Sequence, residues 1–153
     1  MKPILVTTHV EAPPAAVFAY VSDLRRAPER ISAIQRVEVL TDGPVRKGTR
    51  FRETRVLFKR EATEEMEILA FEPPESYTLG CESCGCRYRS EFRFTPQGQG
   101  TLISRSFAAT PLTFFAKLCS FLMAPMMKQC AKACEKDLAD LKVAFERDQA
   151  RAG

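Results

Sequence analysis

Residues 87–118 read RYRSEFRF-TPQGQG-TLISRSFAA-TPLTFFAKL. Over Arg87–Phe94, Tyr88, Ser90, Phe92 and Phe94 alternate with Arg87, Arg89, Glu91 and Arg93. A period of two is that of a strand with one face buried. Pro96-Gln-Gly-Gln-Gly100 is turn chemistry, and Thr101–Ala109 alternates again, so two antiparallel strands are joined here. The period then changes. Thr110 suits an N-cap and Pro111 the first helical position. Further on, Met127, Ala131, Cys134, Leu138, Leu141 and Phe145 recur at spacings of four and three. That is one stripe of a long helix with charges on its other face, and Pro125 is predicted to kink or split it.

Working back toward the start, the same alternation recurs with punctuation between. Strands are predicted at Gln35–Leu40, Thr49–Phe58, Ala62–Phe71 and Ser76–Glu82, separated by Thr41-Asp-Gly-Pro44 and Glu72-Pro-Pro-Glu75. Gly80 and Gly85 mark a turn or bulge. An earlier strand covers residues 4–10, with His9 on its outer face. Two short helical pieces follow, one over residues 15–21 and one around Leu24–Ser32, interrupted by Pro28. The fold class is therefore α+β: seven strands, six of them consecutive as in an antiparallel meander, then a long C-terminal helix. One domain is expected over residues 1–148, with 149–153 as a C-terminal tail.

The composition fits one core. The 153 residues are 45% apolar and 27% charged, with eleven Phe and no Trp, ordinary values for one globular domain. A net charge of +4 is too small to argue for nucleic acid. The charge is uneven: residues 25–60 hold eleven Arg/Lys and four acids, residues 61–91 eight acids and two Arg. Strands of opposite sign pairing across a sheet explain this; a basic patch for an anionic partner is the alternative. The apolar run Leu112–Met127 is short and interrupted for a membrane span. With no secretory signal, a cytoplasmic protein is expected. Cys81, Cys84 and Cys86 read as reduced thiols on strands, with a metal or redox role as the weaker alternatives. The one His is distant, so no metal site and no cofactor are predicted.

Several short motifs stand in a telling order. They are Val10-Glu-Ala-Pro13, Val17-Phe18 with Val21-Ser-Asp23, Gly48-Thr-Arg-Phe51, Phe71-Glu-Pro-Pro74, Gly100-Thr101, and LADLKVAFE over Leu138–Glu146. This order resembles the START-related, polyketide-cyclase-like superfamily (SRPBCC) over nearly the whole chain. The resemblance implies a helix-grip fold: a seven-stranded curved antiparallel sheet around the long C-terminal helix, with two short helices after the first strand. It also implies a cavity between sheet and helix for lipids, polyketides or other hydrophobic molecules. Many members carry Trp after the second short helix; here Ile31 or Ile34 stands there.

Strand parity sorts the side chains that such a cavity would meet. The expected ligand-binding set is Phe51, Glu53 and Arg55, then Glu64, Met66 and Ile68, then Leu79. It continues with Tyr88, Ser90 and Phe92, then Arg105 and Phe107, and Phe115, Cys119 and Leu122 from the helix. Glu53, Arg55, Glu64 and Arg105 are the inward charges. A hairpin turning near Lys59-Arg60 would make Arg55 and Glu64 cross-strand partners. A structural ion-pair cluster, a bulge that turns the charges to solvent, and a polar anchor for a ligand all remain open.

Three functions follow. The first is non-enzymatic binding or carriage of a small hydrophobic ligand. The second is a cyclase or dehydratase with Glu53 or Glu64 as acid-base and Arg105 steadying an enolate. An unpaired cavity carboxylate favours it; salt-bridged ones count against it. The third is an interaction module in which residues 112–127 dock on a protein, a membrane or a second copy, and homodimerisation is left open.

Overall fold

The computed structural model describes residues 3–57 and 59–152. Its strands are β1 Ile4–Val10, β2 Ile34–Val39, β3 Arg50–Leu57, β4 Arg60–Glu72, β5 Ser76–Ser83, β6 Cys86–Gln97 and β7 Gly100–Pro111. They form one curved antiparallel sheet in the order β1-β7-β6-β5-β4-β3-β2. The meander β2 to β7 is thus closed by β1 on the β7 edge. Between β1 and β2 lie α1 Pro14–Val21, a 3-10 turn Leu24–Arg26, and α2 Ala27–Arg30. After β7 come α3 Phe114–Leu118, a 3-10 stretch Ser120–Met123, and the long α4 Ala124–Ala152. This is the helix-grip arrangement.

The core sits at one end of the grip. Phe18 of α1 packs edge-on against Phe71, Tyr77 and Phe94, with centroids 5.2–5.8 Å apart. Such edge-to-face contacts favour aromatic rings beyond the area they bury. Cys134, Leu138, Leu141 and Phe145 of α4 complete the core. Gly100 has no room for a side chain, since a Cβ would strike the Val10 carbonyl and the His9 ring. The end of β1 can therefore lie flush on the start of β7. The uneven charge resolves into pairs between strands on the outer face, Arg50–Glu65 at 2.6 Å and Arg36–Glu61 at 3.5 Å. Exposed pairs of this kind add little stability.

Three expectations are corrected. The helix does not open at Thr110-Pro111. Those residues stay in β7, paired with Arg87 and Cys86, and the N-cap is Thr113, whose Oγ1 accepts from the Ala116 amide at 3.0 Å. Pro125 lies in the first turn of α4, after the 3-10 break, so the helical segment is split there, one of the two outcomes expected of it. The β3–β4 turn lies between Leu57 and Arg60, with Lys59 at φ 63°. That register sets Glu53 opposite Glu64 and Arg55 opposite Ala62, so Arg55 and Glu64 are not cross-strand partners. Residues 149–152 continue α4 instead of forming a tail; Gly153 and Phe58, expected in the tail and at the end of β3, lie outside the described residues.

Candidate functional site

Each inner strand row runs from core to cavity. Along β3 burial falls from Phe51, fully buried, through Glu53 to the half-buried Arg55 and Leu57. Along β6 the buried Phe94, Phe92 and Ser90 give way to the half-buried Tyr88. Along β7 the row is Ile103, Arg105, Phe107. Alternation thus brings the polar residues of separate strands to one level. Helix α4 supplies the group that joins them.

That group is Asp137, only 2% exposed, on the same helical stripe as Cys134, Leu138 and Leu141. Its Oδ2 accepts from Arg55 Nη1 at 3.0 Å and from Arg105 Nη1 at 2.8 Å. Arg55 Nε donates to Glu53 Oε1 at 2.8 Å, and Arg105 Nε donates to Ser90 Oγ at 3.0 Å. The Arg105 guanidinium also lies 5.1 Å over the Phe92 ring, a favourable cation–π placement. Two carboxylates and two guanidinium groups balance in charge. Burial opposes the charge on Arg55, but Glu53 and Asp137 more than offset it and raise its pKa. Pairing is what makes these buried charges tolerable.

Above this ionic floor lies a cavity of about 290 Å³, open to solvent. That is near the lower end of the ~300–1,000 Å³ usual for ligand pockets. Glu53, Arg55, Ser90 and Arg105 form its base, and Met66, Leu79, Tyr88 and Phe107 its sheet wall. The α4 wall is Met126, Cys130, Ala133 and Cys134. Cys81 and Cys84 also line it. Burial, and then the Glu64 and Glu53 carboxylates, push the Cys81 thiol up to about 11. Burial likewise raises Cys130 and Cys134. These thiols stay protonated near neutral pH and act as soft apolar wall. Burial foremost, with the Cys86 thiol nearby, pushes the Tyr88 phenol up to about 12.

Glu64 differs from the other two carboxylates. It is half-buried on the cavity wall and accepts from Ser83 Oγ at 3.1 Å. Among the described residues no cation lies in salt-bridge range of it.

The expected residues fall into three places. Glu53, Arg55, Glu64, Met66, Leu79, Tyr88, Ser90, Arg105 and Phe107 line the cavity. Phe51, Ile68 and Phe92 point inward but lie in the core, below the floor. Phe115, Cys119 and Leu122 do not line it, because α3 and the 3-10 stretch swing outward from the end of β7; Phe115 is 73% exposed and Leu122 63%. Sequence reasoning misses Asp137. Its one signal is a lone carboxylate three residues after Cys134 and four before Leu141, on the apolar stripe. No group of three or more ligating side chains suited to a metal occurs among the described residues. His9 sits apart, with Nδ1 3.2 Å from Glu11.

The sequence model of one family, described as polyketide cyclase / dehydrase and lipid transport, matches residues 3–146. The chain belongs to this family. Among curated protein sequences none is similar enough to be matched with it. Solved structures share the fold at low identity. TTHA0849 from Thermus thermophilus is 19% identical with a TM-score of 0.77, over 99% of this chain and 100% of that one. The major latex-like protein 151 of Panax ginseng is 11% identical with a TM-score of 0.76, over 94% and 96%. The di-domain ARO/CYC protein BexL, from the BE-7585A biosynthetic pathway, is 15% identical with a TM-score of 0.73, over 92% of this chain and 48% of that one. The family description and the cavity together mark a fold that binds hydrophobic ligands. No described helix is long and apolar enough to cross a membrane.

Proposed function

We propose that the protein binds and carries a small hydrophobic molecule, which enters with one oxygen toward the Arg55–Arg105 floor. The observation that carries this is how the floor uses its charges. Glu53 and Asp137 are both engaged by guanidinium groups, so neither is free to move a proton. Among the described residues, the Nη2 of Arg55 and that of Arg105 have no protein partner, and both side chains line the cavity. They offer N–H donors to a carbonyl or hydroxyl oxygen. The floor is already neutral, so an uncharged oxygen fits better than a carboxylate. The remaining wall is aliphatic, aromatic and thiol, which suits the rest of such a ligand.

Binding of a fluorescent fatty-alcohol probe tests this, paired with native mass spectrometry of protein from its own host. Ala133→Trp fills the α4 wall. It is expected to weaken probe binding by more than about tenfold, one large side chain displacing several kcal/mol of apolar contact. Unchanged probe affinity in a folded Ala133→Trp protein would place the binding elsewhere and defeat the reading.

A second reading rests on Glu64. A half-buried carboxylate with a hydroxyl donor and no cationic partner suits a general acid or base in a cyclase or dehydratase. With a poly-ketone thioester mimic, Glu64→Gln would then lower turnover by about 10²–10⁴-fold and leave probe affinity unchanged. Absence of any turnover by the unmodified protein leaves carriage as the function.

A further inference from the structure

We propose that the segment Leu112–Met126, with the lysines around it, is a docking surface for an anionic phospholipid bilayer. This goes beyond the ligand reading and holds whether or not the cavity is filled.

Large apolar side chains concentrate here in the open. Phe114 is 83% exposed, Phe115 and Phe121 73%, Leu122 63% and Leu118 60%. Scattered exposed apolar residues need no explanation, but a contiguous aromatic cluster marks a surface meant to be covered. The short α3 is nevertheless firmly placed. Thr113 caps it, the Leu112 amide donates to the Gly85 carbonyl at 2.8 Å, and a Cβ on Gly85 would come within 2.9 Å of Thr113 Oγ1. The chain thus holds these rings outward.

The charge around the cluster selects the occupant. No Asp or Glu occurs between Glu91 and Glu135. Lys117, Lys128 and Lys132 in that interval are exposed, and among the described residues none has a carboxylate partner. The register puts the tip of the β3–β4 hairpin at the same end, and it adds the exposed Lys59 and Arg60. The one acid beside the hairpin tip, Glu61, is already paired with Arg36 at 3.5 Å, and Phe and Leu beside unpaired Lys is the chemistry of a surface that lies in an anionic lipid interface. A second copy of this chain fits poorly. A twofold contact would set the same lysines against themselves.

Position gives the surface a use. Met126 belongs both to this segment and to the cavity wall, so a bilayer held here faces the mouth through which a ligand passes.

Co-sedimentation with vesicles tests the proposal. One set is phosphatidylcholine alone, the other equal parts phosphatidylcholine and phosphatidylserine. The full-length protein is expected to partition onto the second set and not the first, less so as salt rises. Lys117→Glu with Lys128→Glu is expected to weaken partition by about tenfold or more. Phe114→Ser with Phe121→Ser should weaken it by at least as much; both side-chain pairs are exposed, and circular dichroism checks that the variants fold. Equal partition onto both vesicle types would overturn the proposal, as would none onto either. So would self-association of the protein that Phe114→Ser with Phe121→Ser abolishes, since the cluster would then belong to a second copy.

Discussion

Asp137 is the residue on which the site turns. It is the bond from the middle of α4 to β3 and to β7 at once. Removing one member of a buried ion cluster leaves the others charged and unpaired, at a cost of about 3–5 kcal/mol. Asp137→Ala is therefore expected to destabilise the fold by that much in urea denaturation. Replacing all four charges, Glu53, Arg55, Arg105 and Asp137, together by apolar residues of similar size should cost far less, since no buried charge is then left unpaired. Cys81 makes a second residue-scale prediction. Its folded-state pKa is raised from an ordinary 9.0 to about 11, so above pH 9 the unfolded chain loses the proton first. The stability from this group is complete below about pH 9 and is lost as pH rises toward 11. Cys81→Ala should flatten the fall in stability across that window, as read by denaturation at a series of pH values. Parity alone identifies Glu53, Arg55 and Arg105 as inward charges, because it needs only the period of a strand. It does not give depth. Phe51 and Phe92 obey the same parity and lie beneath the floor, and Asp137 is hidden in an otherwise apolar helical stripe.

At the scale of elements, the boundaries move where pairing outweighs local preference. Thr110-Pro111 has the chemistry of a helix start, yet β6 offers partners as far as Cys86, so the strand continues and Thr113 takes over as cap. Thr113→Ala is expected to cost about 1 kcal/mol at this helix end, read as faster amide exchange over α3 with the core amides unchanged. The β3–β4 hairpin shows the complementary effect. Its alternation is plain in the sequence, but the turn comes one residue earlier than the turn chemistry suggests. Moving the turn by one residue shifts the register by two, which leaves the inward set intact and changes every cross-strand partner. This is why the strands and their faces are legible while the residue opposite each one, Glu64 opposite Glu53 and Ala62 opposite Arg55, is not. The α3 segment reads as apolar helix in either case; its outward swing depends on where β7 stops.

Across the whole molecule, order is graded along α4. From Cys134 to Phe145 the helix is locked into the core, whereas Ala124, Pro125, Lys128 and Gln129 are exposed. Regions with few buried contacts open at lower free energy. Amide exchange should accordingly be slowest around Leu138–Phe145 and in β6 and β7, and rise sharply toward Ala124. A bound ligand should slow exchange selectively in the Met126–Cys134 turns. Uniform protection along α4 would contradict this gradient. The acid side behaves differently. Asp140 is partly shielded from water, but the Ser32 amide and hydroxyl and Lys136 outweigh that and hold its carboxyl below the usual range. Its stabilising contribution is present above the unfolded carboxylate pKa and fades as pH falls through the folded one, which loosens the contact between α4 and the segment after α2 before the aromatic core is touched.

The ionic floor also has a bearing on how such a chain can change over generations. Most residues that keep it folded lie on one side of Asp137, and residues that shape the cavity, such as Cys81, Tyr88, Met126 and Cys130, lie on the other. Drift at the mouth can therefore alter which molecule fits with little risk to the scaffold. A gene duplicate of such a protein could take up a new ligand by a few substitutions on one side of that boundary.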